Sequence, residues 1–398
     1  DDDQNIYQFR GSDSKYLRSF ITNHNAVRYS LVDNYRSCCN VVNFANRFVS
    51  DISQRMKTEN INPVSENDGE IKIIRHSSCN MEIPIVNDII SSSVKGTTCV
   101  LTNTNQEALT VLGLLKQKNI PSKLIQSNDD FDMYNIAEIR FFIKKLETDN
   151  ALPVISDKQW DNAVEQLKER YSKSEFLPDL LDILDTFRQT NTKIYRTDLL
   201  IFLHESKLED FCKSEQGIIT VSTMHKSKGR EFDNVFMLLN NVPIDNDEAK
   251  RKIYVGITRA KKLLHIHYSG QQFDKYSEMS TCFENDYISY PNPDELILQL
   301  SHRDVFLDYF KDKKQLILKL YSGLHLSIRG SKLYFEAQNK ALPVLQFSSA
   351  CNERIKKIIS EGYYPYNAKV RFICAWKGKD DTDESAVILP DIYFKKRS

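Results

Sequence analysis

Through the first 270 positions, short apolar runs alternate with stretches whose apolar residues recur at helical spacing. "VRYSLV" (27–32) predicts a strand, and in the following "SCCNVVNFANRFVS" Val41, Ala45 and Phe48 share one helical face. "GEIKIIR" (69–75) predicts a second strand. "TTCVLTNT" (97–104) leads into "NQEALTVLGLLKQKN", where Leu109, Leu112 and Leu115 are spaced to pack inward, and "IPSKLIQ" closes the unit as a strand. Strand, helix, strand at this spacing is a β-α-β unit, which implies a parallel sheet. "GIITVST", "NVFMLL" and "LLHIHY" add three strands, and "EAKRKIYVGITRAKK" adds a helix.

Two regions break this rhythm. Residues 149–214 carry helical periodicity only, in "KQWDNAVEQLKERY", "LPDLLDILDTFRQ" and "RTDLLIFLHES", which reads as an all-helical insertion in the sheet domain. After the proline-marked "YPNPDEL", residues 291–398 predict an amphipathic helix (303–320), a hairpin in "LHLSIRGSKLYFEA", a helix near 350–361 and a second hairpin over 369–390. The aromatics of this small α+β module and its basic tail "FKKRS" read as the core and solvated edge of a β-rich domain, with duplex or partner binding as the alternative.

Composition narrows the class without naming a function. The chain has 398 residues, 41% apolar and 27% charged, as expected of a folded protein with more than one core. No run approaches the length of a membrane span, and the start is neither a signal nor a transit peptide. Fifty-four basic residues balance fifty-four acidic ones, so nucleic-acid contact must come from local patches. Eight cysteines show no zinc or disulfide spacing, which points to a reducing compartment, most simply the cytoplasm, and to no structural metal.

Four clusters carry chemistry. In "DDDQNIYQFRGSD" (1–13), Asp1 and Gln4 are groups that position a metal-bound water or a terminal phosphate, while Tyr7 and Phe9 are able to stack on unpaired bases. Equally, this is a turn whose two aromatics anchor a core. "NYRS" (34–37) sets Arg36 after a strand and before a helix, where an arginine at the carboxyl edge of a sheet reaches phosphate, with Tyr35 free to stack; its bland counterpart is a helix start capped by Asn34 or Ser37. "TVSTMHKSKGREF" places Thr223, His225, Lys226 and Lys228 as phosphate donors at a sheet edge, Gly229 for close backbone approach and Glu231 for sugar hydroxyls. In "KRKIYVGITRAKK" (250–262), Arg259 suits charge developing on a transferring phosphoryl group, while Lys261 and Lys262 read as solvated surface cations.

In this order and spacing, the clusters resemble motifs III, IV, V and VI of superfamily I helicases of the UvrD/Rep/PcrA type, over roughly residues 1–270. The resemblance implies a RecA-like parallel sheet with helices on both faces. Its domains would be a remnant of the first motor domain (1–27), the second motor domain (28–148 and 215–290), the helical insertion (149–214) and the accessory module (291–398). It further implies ATP with Mg²⁺ as cofactor and single-stranded or partly duplex DNA as partner, with 3′-to-5′ stepping. Gln4, Arg36 and Arg259 would be the catalytic set, sensing the γ-phosphate, with Arg259 as arginine finger. Tyr35, Gly229 and Glu231 would bind the nucleotide, and Tyr7, Phe9, Thr223 and His225 would touch the DNA strand. Tyr254 would be a packing residue that orients the Arg259 helix. Two departures stand out: Arg230 where the family usually has an apolar residue, and an insertion far shorter than the usual accessory domain.

No G-x-x-x-x-G-K-[ST] phosphate loop occurs, nor the Asp-Glu pair that holds Mg²⁺. Both precede motif III in the family, so the expectation is a carboxyl-terminal portion whose amino-terminal motor domain lies upstream, inactive alone. The rival reading is a non-catalytic nucleic-acid-binding or scaffolding module that keeps the helicase-like fold.

Overall fold

Strands whose every residue is apolar or small require cover on both faces. Thr98–Thr102 and Ile219–Thr223 are buried along their whole length, and Phe232–Leu239 almost so. In the computed structural model these strands lie at the centre of a seven-stranded sheet. Its order is Cys282–Asp286, Glu70–His76, Ala260–Ser269, Phe232–Leu239, Thr98–Thr102, Ile219–Thr223, Ser122–Leu124, with all neighbours parallel. The structure describes residues 2–6, 13–53, 55–78, 80–125, 131–146, 154–211, 215–337, 340–378 and 383–397. The six described cysteines are free thiols, and no described helix is long and apolar enough to cross a membrane.

Two compact units divide the chain: residues 1–125 with 213–293, and residues 126–212 with 294–398. In the first, helices cover both sheet faces, as expected. On one face, Phe44 and Phe48 of the Cys39–Val49 helix join Ile253 and Ile257 of the Asp247–Ile257 helix over Ile73, Met237 and Ile266. On the other, Ile85 and Ile89 of Glu82–Ser92 and Val111 and Leu115 of Asn105–Gln117 cover Val100, Val221 and Phe236. Fully burying each such side chain contributes roughly 1.5–3 kcal/mol. Thr104 starts the Asn105–Gln117 helix with a reciprocal cap, accepting from the Glu107 N–H while the Glu107 carboxylate accepts from the Thr104 N–H.

One predicted strand is absent. Residues 27–32 pair with nothing regular, and only Asp33–Asn34 pairs, with Asn62–Pro63. Tyr29 and Leu31 are 87% and 89% exposed, so the alternation marks a face that nothing in the described residues covers. Conversely, Cys282–Asp286 is an edge strand too polar to show a pattern.

The second unit joins the helices between residues 157 and 205 to the terminal module around one core. Trp160, Leu180 and Leu199 of the helices Asp157–Arg170, Leu177–Thr190 and Arg196–Glu205 share it with Phe372, Ile388 and Phe394 of a six-stranded antiparallel sheet. Both predicted hairpins form, His325–Arg329 with Lys332–Ala337 and Tyr363–Trp376 with Ser385–Lys396. Tyr363 lies in the core and Tyr364 and Tyr366 on the surface. The expected helix over 303–320 is instead a short 3-10 turn, Leu307–Phe310, and one helical turn, Lys314–Ile317. There the backbone pairs across to a strand: the Phe306 N–H donates to the Gln346 carbonyl, and Val305 bridges Phe347.

Candidate functional site

Arg259 and Glu231 immediately precede the neighbouring parallel strands Ala260–Ser269 and Phe232–Leu239, so both stand at the amino edge of the sheet. "NYRS" is fastened to the same edge. The Asn34 side chain accepts the Arg36 and Ser37 N–H groups at 3.0 and 2.9 Å, Ser37 Oγ donates to the Ala260 carbonyl at 2.7 Å, and the Cys38 N–H donates to the Lys261 carbonyl at 2.7 Å. Arg36 is therefore at the amino edge, not at the carboxyl edge expected from the sequence. The strand thought to precede it is missing, and the turn is held by strand Ala260–Ser269 instead. Tyr35 beside it is 78% exposed.

The charges at this edge interlock. Glu231 takes Arg36 Nε on one oxygen at 2.5 Å and Lys261 Nζ on the other at 2.7 Å. Lys261 above all, then Arg36, hold the carboxyl below its usual range. Arg259 is buried, and its Nε donates to the Val255 carbonyl (2.9 Å), Nη1 to the Arg230 carbonyl (2.8 Å), and Nη2 to Thr258 Oγ1 (3.0 Å) and Gln4 Oε1 (3.3 Å). A guanidinium has five N–H donors, so these four bonds fix its plane and leave one hydrogen for a ligand. Burial, then the like charge of Arg36, push Arg259 down to about 10, still a cation at neutral pH. Burial and Arg259 also lower Lys228. Arg36 and Lys261 thus share one carboxylate, and the Arg259 guanidinium lies near enough to feel the Arg36 charge.

Residues 224–230 cross the sheet from the carboxyl end of Ile219–Thr223 to the amino end of Phe232–Leu239, with Thr98–Thr102 between the two strands. One short sequence run is therefore split between two places. Thr223 is buried at the carboxyl edge, where the Met224 N–H donates to the Thr102 carbonyl; Lys226 Nζ donates to Asn105 Oδ1 at 3.0 Å. Lys252, from the Asp247–Ile257 helix, reaches Asn103 Oδ1 at the same edge, and burial lowers its ammonium. His225 is half-buried beside them. Gly229 lies in the crossing with φ +85°, and a Cβ there would meet nothing within 4 Å. Its glycine answers a backbone requirement.

The structure thus brings Gln4, Arg36, Glu231 and Arg259 together, with Tyr35 on the adjoining surface, and places Thr223 and His225 at the opposite edge. Tyr7 and Phe9 lie outside the described residues. Tyr254 is buried in its helix, as a packing residue should be. Lys262 pairs with Asp233 at 2.9 Å and Lys261 with Glu231 at 2.7 Å, both partly exposed. Sequence reasoning missed Asn103, Asn105 and Arg55. "TNTN" directly after a buried strand was a readable signal for the first two; Arg55 in "SQRMK" offered none. No group of three or more His, Cys, Asp or Glu that could hold a metal occurs among the described residues.

Residues 29–151 and 144–271 match the UvrD-like helicase C-terminal domain. DNA helicase II of Haemophilus influenzae is 22% identical over 370 residues, covering 68% of this chain and 50% of that protein. ATP-dependent DNA helicase PcrA of Staphylococcus epidermidis is 23% identical over 365 residues, covering 67% and 50%. ATP-dependent DNA helicase Rep of Buchnera aphidicola is 29% identical over 162 residues, covering 33% and 25%. The chain spans about half the length of the first of these relatives.

Proposed function

The chain belongs to the UvrD-like helicase C-terminal domain family, and from that premise we propose that it is the second motor half of an ATP-dependent 3′-to-5′ DNA helicase. The observation that carries this reading is the convergence of Gln4, Arg36 and Arg259 on one edge of the parallel sheet. Bound ATP with Mg²⁺ would supply the phosphoryl group and neutralise part of its charge. The donor set fits such a ligand, being cationic with Arg259 already oriented by its hydrogen bonds, while the Mg²⁺ ligands and the phosphate loop would come from a preceding domain.

Arg259 is the arginine finger, its one remaining N–H aimed at the charge that develops on the γ-phosphoryl oxygens. Arg36 leaves Glu231 for the γ-phosphate, which frees that carboxylate to accept from the ribose hydroxyls, and Tyr35 lies against the adenine. Gln4 positions the attacking water. Thr223, His225, Lys226 and Lys252 border the DNA strand on the far edge. Exposed apolar residues on the Ser14–His24 helix (Tyr16, Leu17, Phe20, Ile21) and at Val27, Tyr29 and Leu31 are the surface that a first motor domain would cover.

The test is ATP hydrolysis by the full-length protein and by this chain alone, with and without single-stranded DNA. The full-length protein is expected to hydrolyse ATP with strong DNA stimulation and the chain alone to be inert. Robust DNA-stimulated turnover by the chain alone would refute the two-half reading. DNA binding by a full-length protein without any turnover would favour a non-catalytic module.

A further inference from the structure

Neighbouring carboxylates normally face water, yet Asp2 and Asp3 are 6% and 1% exposed. Burying an ionised carboxylate is costly unless charge and hydrogen bonds answer it. One turn supplies both answers. Arg55 Nε and Nη2 donate to the two oxygens of Asp3 at 2.9–3.1 Å, a two-toothed pair, and the next residue's N–H, that of Met56, donates to Asp2 Oδ2 at 2.6 Å. Tyr254 closes the site: burial first, and then the Asp3 charge, push its phenol up to about 12.

Three consecutive residues of the Asp2–Gln4 turn are therefore tied down in sequence: Asp2 to Met56, Asp3 to Arg55, and Gln4 to Arg259. The Asn5 N–H donates to the Asp2 carbonyl at 3.2 Å and closes the turn. Gln4 itself makes one long contact, 3.3 Å, to a guanidinium that three other hydrogen bonds already hold. The placement of Gln4 thus comes from its two acidic neighbours. Arg55 follows the Cys39–Val49 helix, and Arg36 precedes the same helix, so one element carries both the phosphate-facing arginine and the arginine that grips Asp3.

We propose that Arg55 is a positioning residue for ATP hydrolysis: its grip on Asp3, with the Met56 N–H on Asp2, delivers Gln4 to Arg259. The proposal rests on the nucleotide reading of the amino edge. A purely structural ion pair would affect folding alone; a positioning pair acts on turnover through Gln4.

The experiment is a mutant cycle in the full-length protein, measuring DNA-stimulated ATP hydrolysis for the wild type, R55A, Q4A and R55A/Q4A. A displaced catalytic group of this kind lowers kcat about 100-fold. R55A and Q4A are each expected to show that loss, with KM for ATP changed less than ~3-fold. The double variant is expected to be no slower than Q4A, because both changes remove one act. Wild-type kcat in R55A, or losses that multiply in the double variant, would overturn the positioning role. Should R55A not fold, R55K keeps the charge without the fork and enters the same cycle. A wild-type protein with no DNA-stimulated turnover overturns the nucleotide reading itself, an outcome distinct from an active R55A.

Discussion

The two edges of the parallel sheet use the same residue types to different ends. At the amino edge, Arg36 and Lys261 share Glu231, and Arg259 spends four donors on three backbone or hydroxyl oxygens and one amide. At the carboxyl edge, Lys226 reaches the amide of Asn105, and Lys252 reaches that of Asn103 with the Glu107 and Glu248 charges acting on it. A cation locked in a planar frame offers one geometry, which suits a single phosphoryl group. A flexible ammonium on an amide keeps its charge and several directions, which suits a sliding phosphate backbone. The segment 224–230 connects the two edges.

The largest effect that can separate the edges is R259A. In the full-length protein it is expected to lower DNA-stimulated kcat ~10³-fold or more while leaving single-stranded DNA affinity near wild type. Parallel loss of DNA affinity would merge the two sites into one.

Acid should instead fail both edges together, because it acts on the scaffold between them. His76, His267 and His265 lie buried under the Glu82–Ser92 helix, linked through Asp88: His76 Nε2 to His267 Nδ1 at 2.9 Å, His267 Nε2 to Asp88 at 3.1 Å, His265 Nδ1 to Asp88 at 2.6 Å. Lys72, Glu70, Glu284 and Asp286 border the group, with His76 Nδ1 3.0 Å from Asp286. Burial, then the His267 charge, hold His76 down at about 4. The unfolded chain therefore binds a proton near pH 6.5 that the native state refuses until about 4, so stability falls as pH drops through that window, by roughly 3 kcal/mol at most for this group. Asp88, held far below its usual range, remains the fixed anion. Thermal unfolding of this chain from pH 7.5 to 4.5 should show the loss, reduced in H76F; a flat profile would remove the network from the scaffold.

A smaller effect sharpens the carboxyl edge. K226A/K252A is expected to weaken single-stranded DNA binding about tenfold and to reduce the salt slope by about 0.7 per lost phosphate contact, with ATP affinity unchanged. An unaltered slope would take these lysines off the DNA path. Least of all, G229A should cost ~1 kcal/mol through its positive φ alone, since no atom blocks the added methyl. Its Tm should drop by a few degrees, and an unchanged Tm would mean the crossing tolerates a different backbone.

Much of this was legible in the sequence. Buried strands and amphipathic helices declared the parallel sheet, because both depend on local pattern; of the residues in the four charged clusters, the structure brings Gln4, Arg36, Glu231 and Arg259 together. What stayed hidden depends on contacts far apart in the chain. Arg55 meets Asp3 across 52 residues with no periodic signal. The helices around Trp160 gave no sign that their partner was a sheet more than a hundred positions later. Residues 27–32 alternate like a strand but form no regular ladder, since alternation reports one apolar face and not what covers it. "TMHKSKGREF" reads as one loop because sequence proximity conceals that its two ends lie on opposite edges.

On the proposed reading, the amino edge of this sheet completes a nucleotide site. A structure of the full-length protein with single-stranded DNA and Mg-ADP-aluminium fluoride tests it most directly. The guanidinium groups of Arg36 and Arg259 are expected within about 3 Å of the fluoride ligands, with Glu231 released from Arg36. Either arginine turned away from the fluoride, with Glu231 still paired to Arg36, would contradict it.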